Sequence, residues 1–197
     1  ARGSAFIFSN ELVDAFPPRV FQATDHNRWK ELFLTLDKHG LKETWHQASP
    51  RLPDSTVFSH PWPPGQQVEV HESYRHWLSG WCRAWTAGSM LTIDYGGSPP
   101  EIYHRRPAGS RRAYTHHQVL AGPALYESPG RRDLTADVNF DDLQCWGASL
   151  GLCTTSLTTQ REFLLPHARP NDADRFITDP DGAGSAFKVL RQSPKIV

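Results

Sequence analysis

The sequence has no excess of charge of either sign. Its 197 residues include 21 lysines and arginines and 21 aspartates and glutamates, so the formal net charge is zero. Electrostatic binding to nucleic acid or to an anionic membrane needs a basic excess, and the composition therefore argues against both partners. Long apolar runs are also lacking, since no stretch approaches the roughly 20 residues that span a bilayer. The first residues show no charged-then-apolar signal layout.

Cysteine is scarce. The three cysteines are Cys82, Cys145 and Cys153, and no two of them form a C-x-x-C pair. An odd number of cysteines without a dense disulfide framework fits a reducing compartment. We therefore expect a cytoplasmic globular protein that is long enough for one domain with its own core.

The sequence contains no glycine-rich loop of the kind that binds phosphates or nucleotides, and its only methionine is Met90. It opens on Ala1, almost inside the first predicted strand. This start favours the interpretation that the chain is a piece of a longer protein.

Two short apolar runs, residues 5–9 and residues 89–93, predict buried strands, and we expect residues 5–9 and 89–95 to be adjacent and parallel. Both runs end in polar side chains. These polar residues are Asn10, Glu11 and Asp14 after the first run and Asp94 and Tyr95 after the second. In an open parallel sheet, ligands bind outside the carboxyl ends of the strands. The carboxylates therefore either line such a site or cap turns, and the residues alone leave both alternatives open.

The remaining pattern is that of an α/β protein. Short strands at residues 19–22, 30–36 and 41–47 predict an antiparallel insertion over residues 19–48. Apolar side chains then recur at helical spacing over residues 67–86, with Gly88 placed to end that helix. Residues 97–135 hold many arginines and histidines and few aliphatic residues, which favours a long loop with short helical pieces over the site.

A second helix is expected after a cap at Asn139 or Asp137, ending at Gly151. Strands are expected over residues 152–160 and 186–191. The resulting order of strands and helices along the chain is that of half of a doubly wound sheet with an antiparallel edge.

A serine nucleophile and a zinc site both fit the sequence poorly. The segment Gly147-Ala148-Ser149-Leu150-Gly151 matches the G-x-S-x-G pattern, but a nucleophile elbow needs a strand before the serine and a helix after it. Here a helix precedes and a strand follows, so a helix end is the better interpretation. The histidines and cysteines lack the spacing of zinc ligands, and no metal site is expected.

Five segments together resemble the MidA-like family of S-adenosylmethionine-dependent methyltransferases. They keep the family's order and span most of residues 5–165. The matching residues are Ser9-Asn10-Glu11-Leu12-Val13-Asp14-Ala15-Phe16-Pro17, Thr92-Ile93-Asp94-Tyr95-Gly96, Arg112-Ala113-Tyr114 with His117, Pro129-Gly130 with Asp133-Leu134-Thr135 and Val138-Asn139-Phe140, and Thr159-Gln160 before Phe163-Leu164.

The chain departs from the family in two places. Where the family commonly has His-Val-Asp-Phe, residues 137–140 are Asp-Val-Asn-Phe, so a histidine and a carboxylate are exchanged or lost. The family's glycine-rich cofactor loop and its acidic ribose residue should lie upstream of residue 1. The resemblance therefore implies the later half of a class I (Rossmann-like) methyltransferase sheet with an antiparallel insertion. The chain alone is then expected to bind S-adenosyl-L-methionine weakly or not at all.

The resemblance also implies a function for the parent protein, which is methyl transfer from S-adenosyl-L-methionine to a protein side chain, with arginine as the first choice. A carboxylate can orient the acceptor group and take its proton. Glu11 is the first candidate for this catalytic role and Asp14 the second. The other candidates are Asn10, Asp94 and Tyr95 for the cofactor and His117 and Asp133 for the substrate.

The alternative is a non-catalytic fragment or degenerate relative that acts as a protein-binding or assembly module. The missing cofactor half and the changes at residues 137 and 139 favour it. In either case the expected partner is a protein, with a homodimer as a further possibility, and the expected location is the cytoplasm, or the mitochondrial matrix in a eukaryote.

Overall fold

The computed structural model describes residues 3–38, 40–115, 118–127, 129–169 and 171–195. These residues form two compact units. The first unit takes its residues from 1–13, 74–98 and 138–197, and the second takes 14–73 and 99–137. The chain therefore enters and leaves the second unit twice.

A mixed sheet of five strands forms the first unit. Its strands are β1 (Gly3–Asn10), β6 (Trp85–Gly97), β10 (Val138–Asn139), β11 (Leu152–Thr159) and β12 (Phe187–Pro194). β1 and β6 are adjacent and parallel, with Phe8 opposite Leu91, which confirms the predicted pair. β12 lies antiparallel between β6 and β11, and β10 pairs with the carboxyl end of β6.

Helices cover both faces of this sheet. They are α1 (Glu72–Trp81), which starts in the second unit, α3 (Phe140–Ser149), α4 (Gln160–Leu164), α5 (Asp172–Ile177) and α6 (Ala183–Ala186). Leu91, Ile93 and Val189 pack on one face against the Phe163 ring. Alternation along β6 places Thr92 on the other face, where the Tyr74 side chain of α1 hydrogen-bonds to it.

Two glycines let β6 lie close to its neighbours. Gly88 has a φ of +114°, and a Cβ there would meet the carbonyl oxygen of Ala5 at 1.9 Å. Gly96 has a φ of +148°, and a Cβ would meet the carbonyl oxygen of Val138 at 2.0 Å. Both positions therefore require glycine, and Gly88 lies inside β6 instead of ending the preceding helix as expected.

The second unit consists of two antiparallel sheets and a short helix. The first sheet has the order β4 (Gly40–Gln47), β3 (Trp29–Asp37), β2 (Arg19–Ala23) and β5 (Gln67–Val70). The second has the order β8 (Gln118–Leu120), β7 (Arg112–Thr115) and β9 (Asp133–Thr135), and helix α2 (Pro99–Tyr103) precedes it. Phe58 packs edge-to-face on Phe21 and Trp29 in the core of this unit.

Several elements differ from their sequence-based prediction. Residues 67–70 are a strand and not the start of the helix. Val68 and Val70 alternate with polar residues along it, and Glu69, on the opposite face, is buried as well. Residues 97–135 contain a short helix, α2, as expected, but the three strands β7, β8 and β9 also lie there, so the segment is not a long loop. Strands of three or four residues are too short to show a hydrophobic period.

The first strand also differs from expectation. Residues 5–9 were expected to be buried, but Phe6 and Phe8 of β1 are 70% and 60% exposed. No strand pairs with the outer edge of β1 within the described ranges. No helix follows Asn10, because Glu11 has a left-handed backbone that cannot continue a helix.

None of the described helices is both long enough and apolar enough to cross a membrane.

Candidate functional site

A tight turn at the carboxyl end of β1 holds Glu11 in an unusual conformation. Its φ is 49°, in the left-handed region that residues other than glycine seldom adopt. The Glu11 N–H donates to the carbonyl oxygen of Ile93 at 2.9 Å, and the Asn10 side-chain amide donates to Glu11 Oε1 at 3.0 Å. Both side chains are exposed. The fold therefore presents an amide and a carboxylate to solvent at a strand end, at a cost in backbone strain.

Asp94 supports this turn from the neighbouring strand. Its side chain is fully buried, and Oδ2 accepts the Val13 N–H at 2.9 Å while Oδ1 accepts the Tyr95 N–H at 3.0 Å. A buried carboxylate that accepts backbone N–H groups is a turn-closing element. Tyr95 lies on the opposite face of β6, where its ring packs edge-to-face on Phe187 at 5.5 Å. A direct role of either residue in cofactor binding stays a prediction.

Asp14 is the catalytic candidate that belongs to the second unit. It is 8% exposed, and its Oδ2 accepts a hydrogen bond from the Thr135 hydroxyl at 2.8 Å. His71, which follows β5, is buried as well, and its Nε2 has no hydrogen-bond partner among the described residues. Burial lowers the pKa of His71 to about 4, and the carboxylates of Asp14 and Asp137 oppose that shift only in part. His71 is therefore neutral at physiological pH.

The residues at 137 and 139, where the chain departs from the family pattern, both have clear partners. In the second unit, Asp137 forms ion pairs of 2.5 Å with Arg106 and Arg112. In the first unit, Asn139 caps α3, because its Oδ1 accepts the N–H groups of Asp141 and Asp142. An aspartate would cap this helix in the same way. The asparagine therefore preserves the structural part of the family pattern.

A cavity of about 280 Å³ lies within the second unit. Asp14 and Thr135 contribute polar atoms to its wall, and most of the remaining wall is apolar. Arg111 is also part of the wall, but its guanidinium donates to Glu43 at 3.2 Å and to the Tyr126 hydroxyl at 2.6 Å. The cavity thus combines an apolar surface with a small number of fixed polar groups, which is the usual composition of a ligand site.

The predicted site residues fall into three groups. Asn10, Glu11 and Asp94 come together in the first unit, around the turn after β1. Asp14 and Asp133 belong to the second unit, where Asp133 is exposed in β9. His117 lies outside the described residues.

Sequence reasoning missed His71 and Thr135 as neighbours of Asp14. The spacing of the histidines excludes a zinc site and singles out no histidine, and Thr135 stands only within the family resemblance. The segment Asp133-Leu134-Thr135 was itself part of the family resemblance, so that match was the available signal for Thr135. A lone histidine after a strand carries no comparable signal.

Comparison with known protein families gives one match over most of the chain. A family model described as "Putative S-adenosyl-L-methionine-dependent methyltransferase" matches residues 1–158. The chain is also 28% identical, over 179 residues, to "Protein arginine methyltransferase NDUFAF7, mitochondrial" of Danio rerio. It is 26% identical, over 144 residues, to the protein of the same name in Rattus norvegicus. These alignments cover 83% and 72% of this chain but only 37% and 31% of the relatives. The chain thus spans about a third of their length.

Two crystal structures from Burkholderia thailandensis share the fold. One is a COG1565 superfamily member bound to S-adenosyl-homocysteine, with a TM-score of 0.83 and 24% identity. The other is a native structure of a COG1565 superfamily protein, with a TM-score of 0.83 and 23% identity. Each match covers 98% of this chain and 54% or 56% of the solved chain. The mixed α/β fold is therefore that of the COG1565 structures.

Proposed function

The chain belongs to the family of S-adenosyl-L-methionine-dependent methyltransferases whose model matches residues 1–158, and from this we propose that the complete protein methylates a protein side chain, with arginine as the acceptor. The choice of arginine is supported by the two relatives named as protein arginine methyltransferases. Because both are also named mitochondrial, we expect the matrix if the source is a eukaryote and the cytoplasm otherwise.

The turn after β1 carries this proposal. S-adenosyl-L-methionine supplies a methyl group from a positively charged sulfonium. The exposed carboxylate of Glu11 and the side-chain amide of Asn10 lie at the carboxyl end of a parallel strand, where such sheets bind ligands. We assign the Asn10 amide to the methyl-transfer end of the cofactor and the Glu11 carboxylate to the cationic group that accepts the methyl. Asp94, on the neighbouring strand, would stabilise this turn by accepting the Val13 N–H.

Methylation of arginine also needs a proton acceptor. The acceptor nitrogen gains a methyl group and gives up one proton, and we assign that proton to the Glu11 carboxylate. The strained backbone supports this role, because residues in sparsely populated conformations concentrate at functional sites. Asp14, which is buried and bonded to Thr135, is the second candidate.

Methyl transfer by the full-length natural protein tests this assignment. Glu11→Gln keeps the size of the side chain and removes its charge and basicity, so turnover should fall by a factor on the order of a hundred or more. Cofactor affinity should change little. The measurement is transfer of labelled methyl to the partner protein, with cofactor binding measured in parallel, and Glu127→Gln is the control because that carboxylate is 68% exposed in a surface ion pair.

Each outcome has a defined meaning. Normal turnover in Glu11→Gln would remove Glu11 as the base and leave Asp14, which Asp14→Asn tests in the same assay. Normal turnover in the double variant would dismiss both carboxylates. A full-length protein that binds its partner but transfers no methyl would favour the assembly module.

A further inference from the structure

The longest edge strand of the second unit, within the described residues, is β4, whose 8 residues end the order β4-β3-β2-β5. The Ala48 N–H donates to the carbonyl oxygen of Trp29 at 2.9 Å, and hydrogen-bonded pairs alternate along an antiparallel ladder. The register of β3 with β4 therefore points the N–H and carbonyl groups of alternate residues away from β3. These groups belong to Leu41, Glu43, Trp45 and Gln47. No backbone hydrogen bond joins them to another described segment.

The backbone of β4 leaves this edge open to a further strand. Edges are commonly protected by proline, by a bulge or by charged side chains. β4 has no proline, and its pairing with β3 shows no shift in register. Lys42 is the one charged side chain of β4 that forms no ion pair with a described residue. The protection of the edge therefore depends on a single positive charge.

One face of the hairpin formed by β3 and β4 is apolar and exposed. Leu41 of β4 lies opposite Leu36 of β3, and these side chains are 37% and 77% exposed. Leu34 lies on the same face by the alternation of a strand and is 45% exposed. The half-buried Trp45 extends this face along β4. An apolar surface beside an open strand edge is typical of a protein-binding site.

The opposite face carries the exposed Lys42. The carboxylate of β4, Glu43, lies on the apolar face, where it accepts hydrogen bonds from Arg111 at 3.2 Å and from the Tyr126 hydroxyl at 3.0 Å. It is therefore not available to Lys42. A partner strand that places a carboxylate beside Lys42 gains a cross-strand ion pair.

A second copy of this chain fits the edge poorly. The β4 residues on the same face as Lys42 are Gly40, Thr44 and His46, and none of them is acidic. Pairing of two β4 edges would leave both lysines without a carboxylate, because Glu43 is already bonded to Arg111. The charges thus favour a different protein as the occupant.

We propose that the edge of β4 binds an extended segment of a partner protein in which apolar and acidic residues alternate. The segment adds a strand to the sheet through the outward backbone groups of β4. Its apolar side chains lie on the face of Leu41 and Trp45, and its acidic side chains lie on the face of Lys42. This binding surface goes beyond the proposed methyl transfer, because it does not depend on which side chain is methylated.

Peptide binding to the full-length natural protein tests the surface. The probe is a fluorescent peptide with blocked ends and the sequence Thr-Val-Glu-Val-Glu-Val-Thr, and its basic counterpart has lysine in place of both glutamates. Fluorescence polarisation should show saturable binding of the acidic peptide. The basic peptide should bind about tenfold more weakly, since opposite charges across two strands attract and like charges repel. No saturable binding of the acidic peptide below about 1 mM would overturn the proposal.

N-methylated peptides separate strand addition from side-chain contact. In an antiparallel addition the valines lie on the face of Leu41 with their N–H groups pointing at β4, whereas the glutamate N–H groups point away. N-methylation of the valines should therefore abolish binding, and N-methylation of the glutamates should leave it nearly unchanged. Equal losses in both peptides would show that no strand is added and would overturn the proposal.

Variants of the protein test the charge and the apolar face. Lys42→Glu should reverse the preference, so that the basic peptide binds more tightly than the acidic one. Leu41→Asn should weaken both peptides because it removes apolar contact area from an exposed position. Lys30→Glu is the matched control and should keep the preference for the acidic peptide, because Lys30 is an exposed lysine of β3 on the opposite face of the sheet from Lys42.

Two further results would overturn the proposal. The first is an unchanged preference in Lys42→Glu. The second is a concentration-dependent dimer of the free protein that Leu41→Asn dissociates in sedimentation, since a second copy would then occupy the edge. Peptide binding by a protein that transfers no methyl would support this surface and contradict only the proposed function.

Discussion

At the scale of single residues, the left-handed backbone of Glu11 lowers the stability of the folded chain at the position where the proposed catalytic carboxylate lies. An L-residue in this region costs roughly 1–2 kcal/mol, and glycine avoids that cost while losing more entropy on folding. Glu11→Gly should therefore raise the free energy of unfolding by up to about 1 kcal/mol, although it removes the hydrogen bond from Asn10. It should also lower the turnover of the complete protein as much as Glu11→Gln does.

Urea denaturation and the methyl-transfer assay measure the two effects on the same variant. A lower stability in Glu11→Gly would show that the side chain supports the turn more than the strain weakens it. The proposed trade-off would then be rejected.

The buried His71 should make stability depend on pH. Its pKa is about 4 in the folded chain and 6.5 as its ordinary value, so the unfolded state binds the proton first as the pH falls. Above pH 6.5 His71 has no effect on the pH dependence. Between pH 6.5 and about 4 the free energy of unfolding should fall by about 1.4 kcal/mol per pH unit, and by about 3 kcal/mol in total.

Denaturation at pH 7 and at pH 5 checks this slope. His71→Gln should flatten the slope by about one proton, whereas His76→Gln, which changes an exposed histidine of α1, should leave it as it is. An unchanged slope in His71→Gln would mean that His71 takes up a proton as readily in the folded chain as in the unfolded chain.

At the scale of elements, the cap of α3 gives a direct test of the departure at residue 139. Asn139→Ala leaves the first N–H groups of the helix without their side-chain acceptor and should cost about 1 kcal/mol. Asn139→Asp restores the residue common in the family and should stay within roughly 0.5 kcal/mol of the natural chain. Thermal unfolding of the three proteins measures this order. A loss in Asn139→Asp as large as in Asn139→Ala would refute the cap as the preserved role.

The same elements show what the sequence could reveal. A cap at Asn139 or Asp137, the helix end at Gly151 and the parallel pairing of residues 5–9 with 89–95 were predicted, because caps and apolar runs are local signals. The structure has the cap at Asn139. The burial of β1 was predicted wrongly, since Phe6 and Phe8 are apolar but burial depends on what packs against them. The strands within residues 97–135 were missed because each is only three or four residues long.

The candidate site was predictable to a similar degree. The carboxylates at the strand ends could be named from their position after apolar runs. Whether Asp94 would close a turn or line a pocket depended on the Val13 N–H, which is a neighbour only in the folded chain. The cavity around Asp14 depends on side chains from distant segments, such as Leu32 and Leu134, which no sequence pattern connects.

At the scale of the whole molecule, the chain should not hold the cofactor by itself. The sequence has no glycine-rich phosphate loop, and the outer edge of β1 is not paired with a strand in any described segment. We therefore expect calorimetry to show weak or no binding of S-adenosyl-L-methionine to the 197-residue chain, and clear binding to the full-length protein. Micromolar affinity for the chain alone, equivalent to about −8 kcal/mol, would contradict this.

The hydrogen bond from the Ser73 hydroxyl to the Pro17 carbonyl, at 2.9 Å, has a consequence for the order of folding. β1 and β6 are separated by about 75 residues, and most of these belong to the second unit. Once that unit has formed, Pro17 and Ser73 hold residues 17–73 closed into a loop, and only about 20 residues, including most of α1, remain to connect the two strands. The entropy lost on pairing the two parallel strands then decreases by roughly 1 kcal/mol. The antiparallel sheets of the second unit pair residues that are closer in sequence than β1 and β6 are, so they should form first. The parallel pairing of β1 with β6 should then form faster.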